Sequence, residues 1–169
     1  MHLKVISMRI KNSFGQCHFN DGAPIDISKE KYKLDHSRRF YLFDVIPIGA
    51  PRMTQSDKWK TNPNHSDLLK RQRKAVTQYF AFKTSLQLQC KQLNFELGNV
   101  LDAVYLIPMP HSWSDKKKQR MNGLPCEVKP DTDNITKGVK DTLRKNDSDI
   151  WFEKAEKRWA YNGSIIIFQ

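Results

Sequence analysis

"KPDTDNITKGVKDTLRKNDSDIWFEKAEKRWAYNGSIIIF", residues 129–168, decides the fold. Pro130 has a fixed φ and restrains the residue before it, so the chain reaches Asp131 extended. Asp133 is a good N-cap residue and predicts a helix from Asn134 to about Arg144. In "DIWFEKAEKRWAY" the alternation places Trp151, Glu153, Ala155, Lys157 and Trp159 on one face of a strand. Asn162-Gly163 is a hairpin signal, and "IIIF" closes the chain as a last strand.

Working outward, "NVLDAVYLIPMP" at 99–110 reads as a strand, and so does "FYLFDVIPI" at 40–48, apolar, β-branched and aromatic. Between them Ser66 or Asp67 can cap a helix that runs to about Gly98. Its apolar stripe is Leu69, Val76, Tyr79, Phe80, Leu86, Cys90, Leu93 and Leu97, and Gly98-Asn99 has the chemistry of a C-terminal cap. "GAPRMTQSDKWKTNPNHSD" at 49–67 reads as a long loop, and "HSWSDKKKQRMNG" at 111–123 as a basic loop or short helix. Strand, helix, strand, helix and hairpin in that order predict an α+β fold: a single domain at 39–169, with a mixed sheet flanked by helices and a C-terminal β-hairpin. Residues 1–38 read as an N-terminal extension or subdomain. There "LKVISMRI" is a strand candidate, and Asn20, Asp21, Gly22 and Pro24 supply turn chemistry.

The 169 residues suffice for one domain with a proper core. A formal net charge of +11 favours a polyanionic partner, nucleic acid first. Cys17, Cys90 and Cys126 are an odd number without a CxxC pair, which fits free thiols in a reducing compartment. No histidine pairs with a cysteine at zinc-finger spacing. No 18-residue apolar run and no signal-type N-terminus is present, so a cytoplasmic protein without a membrane contact is expected.

Against that basic background stands an acidic group. Asp131 and Asp133 are two apart in an extended approach. Lys137 and Asp141 follow Asp133 at four-residue steps along one helical face. Asp147 and Asp149 come after the helix, where an antiparallel return of the chain can bring one of them back to the first pair. Oxygen donors without Cys or His suit a hard cation, Mg²⁺ or Mn²⁺, which would let carboxylates face a phosphate backbone. The alternative is structural: Asp133 as a helix cap, and Asp141 as a partner of Lys137 or Lys145.

The same residues resemble the RusA-type Holliday junction resolvases, dimeric endonucleases common in phages and prophages. The resemblance rests on "KPDTDNITKGVKDTL…NDSDI", "IPIGAPRMTQSDKW", "QYFAFK", "PMPHSWSDKKKQRM" and "KRW…GSIII", from about residue 40 to 169. It implies metal-binding catalytic carboxylates at Asp131, Asp133 and Asp147, a catalytic Lys137, and supporting roles for Asn134 and Asp141. Where the family often has two successive acids, this chain has Asn146-Asp147. The implied activity is Mg²⁺-dependent (or Mn²⁺-dependent) nicking of two opposed strands of a four-way DNA junction by a homodimer, in recombination and repair. Arg52, Lys58, Lys60, Lys116, Lys117, Lys118 and Arg120 are the candidates for DNA phosphate contacts, and Trp59 and Trp113 for base stacking. The alternative is a basic junction-binding protein that does not cut.

Overall fold

The computed structural model describes residues 16–18, 24–26, 39–55, 57 and 73–169. Strands β1 (Gln16–His18) and β2 (Pro24–Asp26) form a short antiparallel ladder. Then come β3 (Phe40–Phe43), α1 (Lys74–Leu93), β4 (Val100–Pro108), α2 (Asp115–Met121), α3 (Thr132–Leu143), β5 (Phe152–Ala160) and β6 (Ser164–Phe168). The last four strands form one mixed sheet in the order β3-β6-β4-β5, an α+β architecture as expected. The strand candidate at 3–10, the caps Ser66 and Asp67, and Leu69 lie outside the described residues.

Strand β4 is the centre of the sheet, parallel to β5 and antiparallel to β6. Its residues 101–107 are all buried, which is why its sequence, Asp102 apart, is apolar at successive positions instead of alternating. Leu101, Ala103, Tyr105 and Ile107 join the larger core with the inner residues of α1 and α3. Val104 and Leu106 join Ile166, Phe168 and Ala160 in a second cluster. Strand β3 is shorter than the 40–48 expected. After Phe43 the Val45 N–H turns back to the Phe43 carbonyl at 3.0 Å, and 44–50 leave the sheet.

The last two strands run antiparallel through the short connection 161–163, hairpin-like in outline, yet β4 lies between them and they do not pair. A two-residue type I′ turn needs positive φ at both central residues. Among the described residues only Asn94 and Gly123 have positive φ, so Asn162-Gly163 is not such a turn. Gly163 answers a different need: a Cβ there would come within 2.9 Å of Ile46 Cγ1 and 3.0 Å of its Cα.

Helix α1 buries Val76, Tyr79, Phe82, Leu86 and Cys90, while Phe80, assigned to the stripe from sequence, is exposed. The helix stops at Leu93, not near Gly98. Asn94 takes the left-handed conformation, φ 49°, and its N–H bonds the Cys90 and Lys91 carbonyls. Asn tolerates this conformation better than other non-glycine residues, so it ends a helix as glycine does. Cys90 and Cys126 are buried free thiols, and burial pushes the Cys90 thiol up to about 12. No helix among the described residues is long and apolar enough to cross a membrane.

Helix α3 is set on the sheet by a buried hydroxyl pair. Tyr105 donates to Thr136 Oγ1 at 3.0 Å, and Thr136 donates to the Thr132 carbonyl at 2.9 Å. Burial pushes the Tyr105 phenol upward, so its proton stays in place as the donor.

Leu86 is 0% exposed at the centre of the α1 face. Truncation to Leu86→Ala is expected to cost about 2–5 kcal/mol. Urea unfolding will show this as a lower midpoint with an unchanged slope.

Candidate active site

The pairing registers put the C-terminal ends of β3, β4 and β5 at one end of the sheet. Segment 44–57 and helix α2 leave the sheet there, and α3 begins there. Lys157, late in β5, donates to the Val128 carbonyl at 2.6 Å and the Pro130 carbonyl at 2.7 Å, fastening the approach to α3. The helix then runs back along β5. Near its C-terminus Lys140 meets Glu153, at the start of β5, at 2.7 Å.

Helix α3 starts two residues earlier than the sequence implied. Asp131 is the N-cap residue, with φ −67° and ψ 150°, and its carbonyl accepts the Ile135 N–H at 3.1 Å. Asp133 therefore sits in the first turn, not at the cap. The Asp131 side chain makes no capping hydrogen bond. Both carboxylates are exposed, and neither has a hydrogen-bond or ion-pair partner among the described residues. Lys137 and Asp141 follow Asp133 at one-turn steps, both exposed. Lys137 forms no ion pair with Asp133 or Asp141, nor Asp141 with Lys145. The structural explanation of these charges thus finds no support in the geometry.

Asn134 is used differently. Its carbonyl accepts the Ala50 N–H at 3.2 Å, which lays residues 48–50 across the first turn of α3. Gly49 suits this approach: a Cβ there would stand 2.5 Å from Asn134 Nδ2 and 3.1 Å from Pro130 Cβ, so the Asn134 amide would have to shift.

Asp147 lies past the opposite end of α3. Twelve residues of helix at about 1.5 Å each separate the two ends by about 18 Å. The chain does not return. After Leu143 it turns through 144–151, where the Trp151 N–H bonds the Asn99 carbonyl at 3.1 Å, and enters β5 at the far end. Asn146 organises that turn by accepting from the Ser148 N–H and Oγ at 3.2 and 2.8 Å. Asp149 is held by Arg144 at 3.3 Å. Among the described residues no three of His, Cys, Asp and Glu are grouped to hold a metal ion. The chain places Asp131 and Asp133 at the start of α3 and Asp147 beyond its other end.

Residues 48–168 match the family Endodeoxyribonuclease RusA, most of the chain and all of this site. The chain belongs to the RusA family. No curated protein and no solved structure matches it. RusA enzymes are endodeoxyribonucleases that act on Holliday junctions, so this chain is a DNA endonuclease and a phosphodiester hydrolase. RusA resolvases are in general divalent-metal dependent. The donor set at the start of α3 suits such an ion: uncommitted aspartate oxygens, with no Cys or His among the carboxylates. The helix N-terminus also favours negative charge at these two positions, by about 0.3–1 kcal/mol each.

The basic candidates of this RusA chain divide. Arg52, Lys116, Lys117 and Arg120 are exposed, and Lys118 is half-buried. Lys58, Trp59 and Lys60 lie outside the described residues. Lys117 Nζ sits 4.0 Å over the Trp113 ring, and Trp113 packs on Trp159 at 5.0 Å. Trp113 is thus a packing residue beneath α2 whose ring is already taken up by these two neighbours.

Sequence reasoning missed one anchor. Asp57, in the stretch expected to be loop, is 1% exposed. Its carboxylate accepts the Thr54 N–H at 2.9 Å and the Thr54 hydroxyl at 2.7 Å, while Thr54 Oγ1 accepts the Asp57 N–H at 3.3 Å. This is a reciprocal capping box, legible in retrospect as Thr54-x-x-Asp57. Asp57 also binds the Arg73 guanidinium through both oxygens.

The Arg73 guanidinium, with the Thr54 donors, holds the Asp57 carboxyl far below the usual carboxylate range. A depressed native value means stability that is present above the unfolded-state pKa, about 3.9, and is lost as pH falls towards the native value. Asp57→Asn cannot titrate. The melting-temperature gap between wild type and Asp57→Asn, measured by circular dichroism, is therefore expected to narrow as pH is lowered below about 4.

Proposed function

We propose that this protein resolves four-way DNA junctions by hydrolysing one phosphodiester in each of two opposed strands. In this proposal Mg²⁺ or Mn²⁺ is held by Asp131, Asp133 and Asp147. The observation that carries the reading is the pair of exposed carboxylates at the start of α3, without partners among the described residues and inside the RusA match. In a chain of net charge +11, a protein that only bound DNA would gain nothing from them.

The length of α3 supports a site completed by a second copy. A third carboxylate about 18 Å away serves Asp131 and Asp133 only if it comes from a second copy. When two copies meet about a two-fold axis with their α3 helices antiparallel, the start of each helix lies beside the 144–149 turn of the other. Two sites then form, each with Asp131 and Asp133 from one chain and Asp147 from its partner. A two-fold dimer matches a junction whose opposed strands are themselves related by two-fold symmetry.

When bound, the cation polarises the phosphoryl group, activates water and steadies the leaving 3′ oxygen. The chain's own groups do the rest. Lys137, one turn beyond Asp133 on the same face, faces the scissile phosphate and offsets charge growing on its non-bridging oxygens. Asn134 and residues 48–50 hold the first turn of α3 in place. Arg52, Lys116, Lys117, Lys118 and Arg120, with Lys58 and Lys60, bind the phosphates of the arms. The reaction takes place in the cytoplasm of a bacterium or a phage-infected cell, where such junctions arise.

A labelled mobile four-way junction incubated with the protein in Mg²⁺ is expected to show matched nicks in opposed strands, and none in EDTA. A band shift without nicks in either Mg²⁺ or Mn²⁺ would instead establish the non-cleaving binder. Asp131→Asn or Asp133→Asn is expected to lower nicking by more than about a hundredfold, beyond the cost of losing an outer-layer partner at a metal site. Junction binding in a gel shift should persist or tighten, because a repulsive charge has gone.

Mixing tests the shared site. Asp131→Asn and Asp147→Asn proteins, each inactive alone, are expected to recover nicking when co-refolded. Each mixed dimer then has one site with all three carboxylates and one with neither Asp131 nor Asp147 intact. Recovered products should therefore carry single nicks, while sites built within one chain would give no recovery.

A further inference from the structure

Segment 48–57 is held at two places. At one end the Ala50 N–H bonds the Asn134 carbonyl, and Gly49 lies against the Asn134 amide. At the other end Asp57 and Thr54 close their capping box, and Asp57 is clamped by Arg73, the residue just before α1. Between these anchors stands Arg52. Its carbonyl accepts from Arg73 Nη2 at 2.8 Å, from the same nitrogen that binds Asp57. Its own side chain is exposed and has no partner among the described residues. A planar guanidinium can serve a carboxylate and a carbonyl at once in fixed geometry, which an ammonium cannot.

We propose that Asp57, acting through Arg73, is a positioning residue that presents Arg52 to a DNA phosphate beside Asp131 and Asp133. The arrangement costs the chain a buried carboxylate, yet what it fixes is a cation without a partner among the described residues, two positions after the Ala50 that bonds the first turn of α3. Arg52 does not need the staple to exist; it needs it to point. A long side chain on a loose loop would lose its conformational freedom only on binding, which weakens the contact. This proposal rests on the nuclease reading for the substrate, but its first test does not require cutting.

The test measures binding of a four-way junction across a salt series in EDTA, where no strand is cut. Each phosphate contact adds about 0.9 to the slope of log affinity against log salt. Arg52→Ala is expected to lower the slope by about that amount, Asp57→Asn by the same, and the double variant by no more than either. Arg73→Lys keeps a positive charge near Asp57 but loses the fork to the Arg52 carbonyl. It is expected to reproduce the lowered slope, and it carries the test if Asp57→Asn fails to fold, as judged by its melting transition.

In Mg²⁺, single-turnover nicking by Asp57→Asn is expected to fall about ten- to a hundredfold, with no further loss when Arg52→Ala is added. A slope unchanged in Asp57→Asn and Arg73→Lys, or one unchanged in Arg52→Ala, would overturn the proposal. So would losses that multiply in the double variant, which is what a purely stabilising role predicts. Failure of the wild type to nick, with these slopes as expected, would count against the nuclease reading and leave the positioning role standing.

Discussion

Everything around the candidate site depends on how α3 lies along β5. Two lysines secure that placement at opposite ends: Lys157 of β5 holds the chain at Val128 and Pro130, and Lys140 of α3 holds Glu153. Neither contact adds much stability at a partly exposed position. Their value is directional. They make the helix a rigid spacer with one acidic group at its start and another beyond its end. The distance between the groups is then fixed by residue count, not by flexibility of the chain.

Much of the architecture was legible because apolar periodicity speaks directly to burial. Strand β4 declared itself by a run that is apolar at nearly every position, Asp102 being the exception, as suits a strand covered on both faces, and α1 by its recurring core positions. Pairing order was not legible. The "NGS" signal between β5 and β6 reports a short connection, yet which strand lies beside which is settled by long-range packing. Here β4 lies between β5 and β6. Local turn chemistry also misplaced the end of α1, because Gly98 outranks Asn94 on propensity, while the carbonyls of Cys90 and Lys91 are already taken by the N–H groups of Asn94 and Phe95.

The site divided in the same way. The candidate acidic residues stood out against a basic background, and the RusA family match spans them. Their geometry was hidden. A helix starting at Thr132 instead of Asn134 moves Asp133 from the cap into the first turn and puts Asp131 at the cap, where its side chain makes no capping hydrogen bond. Asp57 was overlooked because a lone acid in a proline-rich, polar stretch looks like solvated loop. Its burial depends on Arg73, sixteen residues later, and no local pattern announces that pairing.

The Tyr105–Thr136 hydroxyl contact has a consequence for direction rather than for stability. A helix turns by about 100° per residue, so a slip of one position would swing Asp133 and Lys137 through more than a quarter of a revolution. Thr136 sits between those two residues on the inward side and is the one polar side chain of α3 that meets a hydroxyl of the sheet. By fixing the azimuth of the helix from beneath, a buried tyrosine on β4 determines the compass bearing of charges it never touches.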